Sequence, residues 1–380
     1  MPFSLRQVTG AAAMLLVLAG VSRGTPAECR YFWVVRDGLS SPQSVDSLLQ
    51  RAADAGANGV IVQVVGRGEA YYLSDILPPA EWQGFDDPLA YTVMRAGPLG
   101  LEVHAWINAF LVWSAPDDPD SPEHIVNSRP DLFTGHENGR SSLAYRGQAA
   151  EAVGLVGPTL SPAYPEVREL VGKIASEIAC GYMVDGIHLD YIRYPNSSFG
   201  WSQGERDMFF SETGMDPGDD PAAWNDWKTG NVTETVATVR ALLRSCAPHV
   251  ILSCAVMANP ASAVSEFSCD WGYWLSEGLV DYALPMAYTS DQTTARNLAL
   301  AVTAENPEKV IYGIGVWNQT VENALTGAEL ALSRGASGVC AFSLNSLPSG
   351  GEDVLREFWG SGTMPDHGVS AAVFSRVVLP

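Results

Sequence analysis

A short apolar run followed by a longer amphipathic run recurs eight times along this chain. The apolar runs are Tyr31–Val35, Gly59–Val65, Glu102–Asn108, Gly186–Ile192, Val250–Val256, Tyr282–Tyr288, Lys309–Val316 and Gly338–Leu344. The amphipathic runs that follow them are Pro42–Ala55, Pro88–Leu99, Tyr164–Cys180, Ala223–Cys246, Asp270–Gly278, Gln292–Glu305, Val321–Arg334 and Glu352–Trp359. Strands separated by helices of this length cannot pair as hairpins. They read as βαβ units, with parallel strands and crossovers that cover the sheet. Eight such units predict a closed (β/α)8 TIM barrel rather than an open doubly wound sheet. Gly56, Gly97, Gly278 and Gly335 fall where the predicted helices should stop.

Two connections are much longer than a bare barrel needs. One runs from 109 to about 163, after the third strand, and one from 193 to about 221, after the fourth. Both leave the C-terminal ends of strands, the rim that carries active sites in barrels. They contain Trp113, Phe133, Tyr145, Phe199 and Trp201 and are expected to wall a substrate cleft.

The formal net charge is −21, from 43 acidic and 22 basic residues. Such a surface repels nucleic acid and anionic membranes, so neither is an expected partner. At the N-terminus, Arg6 precedes the apolar run Ala11–Val21, and small residues follow up to Ala27. That run suits a signal peptide and is too short to span a bilayer. Residues 1–27 are therefore expected to be a signal peptide, 28–360 the barrel and 361–380 a tail or linker. The mature protein is expected to be secreted or periplasmic. No later run is long enough to cross a membrane.

The six cysteines form no C-x-x-C pair, which argues against structural zinc and thioredoxin-like redox chemistry. Cys254 and Cys340 fall inside expected strands and read as small hydrophobes. Cys29, Cys180 and Cys246 fall near the expected barrel bottom, where a bridge among them would suit an oxidising compartment.

The fourth run, Val184-Asp185-Gly186-Ile187-His188-Leu189-Asp190-Tyr191, carries the strongest chemical signal. Strand alternation sends Ile187 and Leu189 outward and Gly186, His188 and Asp190 inward. Asp190 comes last, at the open mouth, where a carboxylate can meet a ligand; inside the barrel it would be costly. Asp185 lies at the opposite end and reads as structural. On the third run, His104, Trp106 and Asn108 form the inward set. Asn108 is placed to hold a sugar hydroxyl or to orient Asp190, and Trp106 to floor a sugar or fill the core.

Glu69 leads the candidate rim acids for a second carboxylate, because glycines and Tyr71 and Tyr72 surround it. Asp37, Glu266 and Asp291 are weaker candidates. Tyr288 ends the sixth run, and Arg193 stands ready to pair with Asp190 or bind a carboxylate. No clustered His and acid set suggests a catalytic metal, and no cofactor is expected.

These blocks resemble, in order, the bacterial glycosyl-hydrolase-like family ten. The resemblance spans about Arg30 to Trp359. It rests on Gly59-Val-Ile-Val-Gln63-Val, Ser74-Asp-Ile-Leu-Pro78, Leu101-Glu-Val-His104-Ala-Trp106-Ile-Asn108, Leu160-Ser-Pro162, Asp185-Gly-Ile-His-Leu-Asp190-Tyr and Asp281-Tyr-Ala-Leu-Pro-Met-Ala-Tyr288. It implies a barrel glycosidase acting on a polysaccharide, such as an amino-sugar glycan of the cell envelope or an exopolysaccharide. The fourth strand is also similar to the amylase pattern whose last Asp is the nucleophile, which matches Asp190, although His188 replaces that pattern's Arg. Asp190 and Glu69 are the expected catalytic pair. His104, Trp106, Asn108, His188, Arg193 and Tyr288 are the expected substrate contacts. The alternative is a carbohydrate-binding barrel without catalysis.

Overall fold

In the computed structural model, which describes residues 29–360, eight parallel strands close into a ring. They are β1 (Cys29–Val34), β2 (Gly59–Gly66), β3 (Glu102–Asn108), β4 (Gly186–Asp190), β5 (Ile251–Met257), β6 (Tyr282–Met286), β7 (Ile311–Gly315) and β8 (Gly338–Phe342). Closure is direct, because β1 pairs in parallel with both β2 and β8. A two-residue arm, Glu69–Ala70, folds back antiparallel on the end of β2. The expected signal peptide and tail lie outside the described residues. No described helix is long and apolar enough to cross a membrane.

The helices start where a capping side chain precedes a proline. This holds for α1 (Pro42–Asp54), α2 (Pro88–Ala96), α5 (Pro221–Cys246) and α6 (Pro260–Phe267). Ser41, Asp87, Asp220 and Asn259 each accept a backbone N–H from the first turn. Proline fits next because its missing N–H would have no helical partner there. The other main helices are α3 (Pro165–Gly181), α4 (Gln203–Thr213), α7 (Trp271–Ser276), α8 (Gln292–Val302), α9 (Val321–Ser333) and α10 (Gly351–Gly360). Sequence periodicity does not foresee α4 or α6. The helix α4 buries only Glu205 and Phe209, so it has no apolar stripe for the period to reveal.

The strand faces divide as alternation requires. Val103, Ala105, Ile107, Ile187 and Leu189 pack outward against the helices. Trp33, Ile61, Trp106, Ala255, Leu284 and Cys340 fill the ring. Along β3 and β4, His104 lies opposite Gly186, Trp106 opposite His188, and Asn108 opposite Asp190. These are three tiers, rising from the closed bottom to the open mouth. At the lowest tier, a Cβ on Gly186 would stand 2.1 Å from His104 Nδ1, so only glycine lets β4 pass the ring. Asp185 precedes that tier and accepts the Val103 N–H at 2.9 Å, the structural role expected of it.

The ring has one thin seam. Between β6 and β7 the ladder shows a single register pair, Met286 with Gly313, beside an isolated bridge from Ala283 to Val310. Pro285 lies in the middle of β6 and has no N–H to give.

Of the three cysteines expected near the bottom, Cys180 and Cys246 form a disulfide, joining the C-terminal ends of α3 and α5. Cys254 and Cys340 are buried, as expected of small hydrophobes.

The two long connections are stitched together by a buried carboxylate. Glu205, fully buried on α4, accepts from Thr134 Oγ1 at 2.9 Å, the Gly135 N–H at 3.2 Å and the Ser202 N–H at 2.7 Å. It also accepts from Ser161 Oγ. The aromatics expected to wall a cleft serve instead as a core for these loops. Trp113, Phe133, Tyr145 and Phe199 are all buried, and Trp201 packs on Trp224 at 5.3 Å.

Candidate active site at the barrel mouth

The C-terminal ends of the strands surround a cavity of about 340 Å³. That volume falls within the range of ordinary small-molecule sites, about 300–1,000 Å³. Its aromatic lining comes from Trp33, Trp106, Tyr288, Trp317 and Phe342. Tyr288 stacks on Phe342 at 5.6 Å, and Trp317 meets both rings edge-on. The long connections contribute Leu111, Ser114, Val156, Tyr191 and Arg193.

Asp190 is the only carboxylate among the described residues that line this cavity. Its Oδ1 accepts the Tyr191 N–H at 2.6 Å and Arg193 Nη1 at 3.3 Å. Its Oδ2 makes no hydrogen bond to the described residues. Tyr191 adopts a left-handed backbone with φ of 50°, unusual for a large side chain. The Arg193 guanidinium lies 4.7 Å over the Tyr191 ring. Burial pushes the Asp190 carboxyl above the usual carboxylate range, while Arg193 and the Tyr191 N–H pull it back without outweighing burial. Burial thus shifts this carboxyl toward the protonated form.

A chain of hydrogen bonds fixes the other polar groups. Trp106 Nε1, which can only donate, gives to Asn108 Oδ1 at 3.0 Å. Gln63 Nε2 gives to the same oxygen at 3.2 Å. Gln63 Oε1 in turn accepts from the Arg36 N–H and from Arg36 Nη1, both at 3.3 Å. The donor-only ends settle both amide orientations, so Asn108 turns its NH2 away from these partners.

His188 lies one tier lower and does not line the cavity. Trp33 Nε1 donates to its Nε2 at 3.1 Å, and its Nδ1 meets Ser253 Oγ at 2.9 Å. Both ring nitrogens are therefore committed. Burial, reinforced by His104, lowers its pKa to about 3, so it stays neutral.

His104 lies a further tier down, against the Tyr31 ring at 5.1 Å and with Nε2 3.4 Å from Glu102 Oε2. At about 3.3 Å per residue it sits about 13 Å below Asn108, out of reach of a ligand at the mouth. Both histidines were expected to touch substrate, and both are corrected to interior roles. Alternation shows that a side chain faces inward but not how deep it sits.

Trp106, Asn108, Arg193 and Tyr288 are brought together with Asp190 as expected. Glu69 is not among the cavity's lining residues. It sits half-buried on the short arm after β2, where burial pushes its carboxyl up and Arg67 and Arg36 pull it down. Asp37 and Glu266 are exposed, and Asp291 caps α8 through the Thr294 N–H at 2.7 Å. Sequence reasoning did not single out Trp33, Arg36, Gln63 or Trp317 as site residues. Inward alternation toward the end of β1 and β2 marks Trp33 and Gln63. Trp317 is 46% exposed just beyond β7, and an exposed tryptophan at the C-terminal rim was the available sign. No cluster of three or more His, Cys, Asp or Glu side chains fit for a metal occurs among the described residues.

A closed (β/α)8 ring with one carboxylate in an aromatic mouth is the class of protein that fold and site define. Within that class, the chain belongs to the glycosyl hydrolase-like 10 family, whose model matches residues 32–326. It is 25% identical over 285 residues to glycosyl hydrolase YngK of Bacillus subtilis (strain 168), covering 68% of this chain and 52% of that protein. It is 26% identical over 272 residues to glycosyl hydrolase DigH of Escherichia coli (strain K12), covering 65% of this chain and 58% of that protein. The chain thus spans little more than half the length of these curated relatives. Among solved structures, the glycoside hydrolase domain of PgaB (BpsB) from Bordetella bronchiseptica superposes with a TM-score of 0.67 at 16% identity, over 87% of this chain and 98% of that one. The α-L-fucosidase isoenzyme 2 from Paenibacillus thiaminolyticus gives a TM-score of 0.61 at 13% identity, over 88% of this chain and 49% of that one. At these identities the superpositions show the fold.

Proposed function

We propose that this protein is an exported glycoside hydrolase that cleaves a polysaccharide at the barrel mouth, with Asp190 as its catalytic carboxyl. The observation that carries this reading is the state of Asp190: buried, shifted toward the protonated form, with Oδ2 free beside aromatic rings. Such a carboxyl can give its proton to the leaving glycosidic oxygen. The bond from that oxygen to the anomeric carbon then breaks. The Asp190 carboxylate left behind takes a proton from the water that adds to the anomeric carbon, which restores the starting state. Trp317, Tyr288 and Phe342 offer faces for sugar rings, and the Asn108 amide offers donors to sugar oxygens. A glycan substrate accords with the family and its named relatives, and within that class an amino-sugar glycan, such as peptidoglycan or an exopolysaccharide, is the proposed one.

One observation favours a second reading. Asp190 is alone in the described lining, whereas most glycoside hydrolysis uses two carboxyl groups. A carbohydrate-binding barrel without catalysis would look like this. The deciding experiment incubates the protein, and its Asp190→Asn variant, with peptidoglycan, peptide-stripped glycan strands and neutral glucans, followed by mass analysis of products. Saccharide products from the wild type and not from the variant support hydrolysis. Retained binding with no product from either supports the second reading.

A further inference from the structure

Two side chains at this mouth, Arg36 and Asn108, turn donors toward it that the described residues leave unused. Arg36 gives Nη1 to Gln63 and forms no ion pair among the described residues. Arg67, in the turn between β2 and the short arm, gives Nε to Ser114 Oγ at 3.3 Å and likewise forms no ion pair among the described residues. Trp106 and Gln63 both donate to the Asn108 oxygen, and its NH2 has no hydrogen-bond partner among the described residues. The acceptors nearby are few. Asp190 is engaged by Arg193 through Oδ1 and leaves Oδ2 open, and Glu69, although attracted by Arg36 and Arg67, forms no ion pair with either among the described residues.

Composition makes this arrangement unusual. The chain carries 43 acidic and only 22 basic residues, yet Arg36 and Arg193 both line this one cavity, and Arg67 contacts Ser114 of its lining. A neutral sugar needs no such field, since hydroxyls are served by mixed donors and acceptors. A carboxylate needs charged donors, and a guanidinium is the group that meets it best. The Gln63 amide sets the geometry: its oxygen holds Arg36 and its nitrogen holds Asn108, so the two free donor groups flank one side chain.

We propose that the mouth recognises a sugar bearing a carboxylate, held by the Arg36 guanidinium with the Asn108 amide N–H as a second donor. This deepens the glycan reading above and rests on it for the location of the ligand. The substrate class is then an acidic glycan, and Arg36 is a specificity residue rather than a catalytic one.

The test compares matched ligands by calorimetry at low temperature: polygalacturonate fragments, hyaluronan fragments and peptide-stripped peptidoglycan strands, each against its carboxyl-reduced, neutral form. Asp190 is kept intact, because removing it would free Arg193 to bind the carboxylate. For at least one pair, the acidic form should bind about tenfold more tightly, the size of a charge-assisted contact. That ratio should fall to about twofold or less in Arg36→Gln and recover in part in Arg36→Lys. Equal binding of every pair overturns the proposal. So does the absence of binding to any acidic glycan, or a preference that survives Arg36→Gln. The wild-type comparison does not depend on how the variants fold. Cleavage without acid preference would end this proposal and leave the hydrolase reading standing. Acid preference without cleavage would do the reverse.

Discussion

The indole N–H of Trp33 reaches Nε2 of His188 across 3.1 Å, which leaves the imidazole proton on Nδ1, facing Ser253. The histidine is thus held neutral beneath the mouth. Its folded pKa of about 3 lies below the unfolded value of about 6.5. Between those values the unfolded chain binds the extra proton, so stability falls as pH drops below about 6.5 and stops falling below about 3. From pH 7 to 4.5 the loss from this group should be on the order of 2 kcal/mol. Urea unfolding at both pH values checks it, with His188→Gln as the comparison. The variant should show a shallower pH dependence over that window, whatever its absolute stability. Equal slopes would remove His188 as the cause.

Asp190 and Arg193 make a second, kinetic prediction. Asp190→Asn should lower kcat by about a thousandfold or more, since it removes the proton donor. Arg193 holds the Asp190 carboxyl down, so Arg193→Met should raise it further. The limb of the pH–rate profile that reports Asp190 should move to higher pH. A limb that stays in place would show that Arg193 does not act on the reacting group.

The two tryptophans at the mouth should respond differently to loss. Trp317 is 46% exposed, and Trp317→Ala should raise KM by about threefold to tenfold with little change in thermal stability. Trp33 is 2% exposed and holds His188, so Trp33→Ala should cost about 3–5 kcal/mol of folding stability. Steady-state kinetics and thermal melts on both variants distinguish a sugar platform from a core strut.

Glu205 gives a fourth prediction. Glu205→Ala leaves donors from both long connections unpaired and should destabilise the protein by about 3 kcal/mol or more. Limited proteolysis should then cut within 109–163 and 193–221 before it cuts the barrel. Cleavage elsewhere first would mean that the two segments are held by other contacts.

The barrel was legible in the sequence because period-2 strands and amphipathic helices both leave patterns in a linear chain. The β3 span Glu102–Asn108 matches its expected bounds. Asp190 was legible for the same reason, as the last inward position of a strand. Depth was not legible. His104, His188 and Asp190 share one facing, and only the stagger of neighbouring strands separates bottom, middle and mouth. Nor could spacing show that Phe133 and Phe199 pack inside the loops, because that depends on Glu205 drawing together segments far apart in the chain. The reach of Glu69 failed similarly. Its sequence neighbours are glycines and tyrosines, but the arm that carries it folds back on β2 rather than across the opening.

The sparse ladder around Pro285 carries a consequence for how the molecule breathes. A ring of strands yields first where fewest rungs cross, and here that place lies beneath Tyr288 and Trp317, the side of the opening that offers rings to a sugar. Amide exchange in 282–288 and 311–315 should therefore outpace that in 102–108, where many rungs cross on both sides despite a register shift at Gln63/Val65. If the mouth takes the glycan proposed above, its aromatic wall can widen while the wall that carries Asp190 keeps its shape.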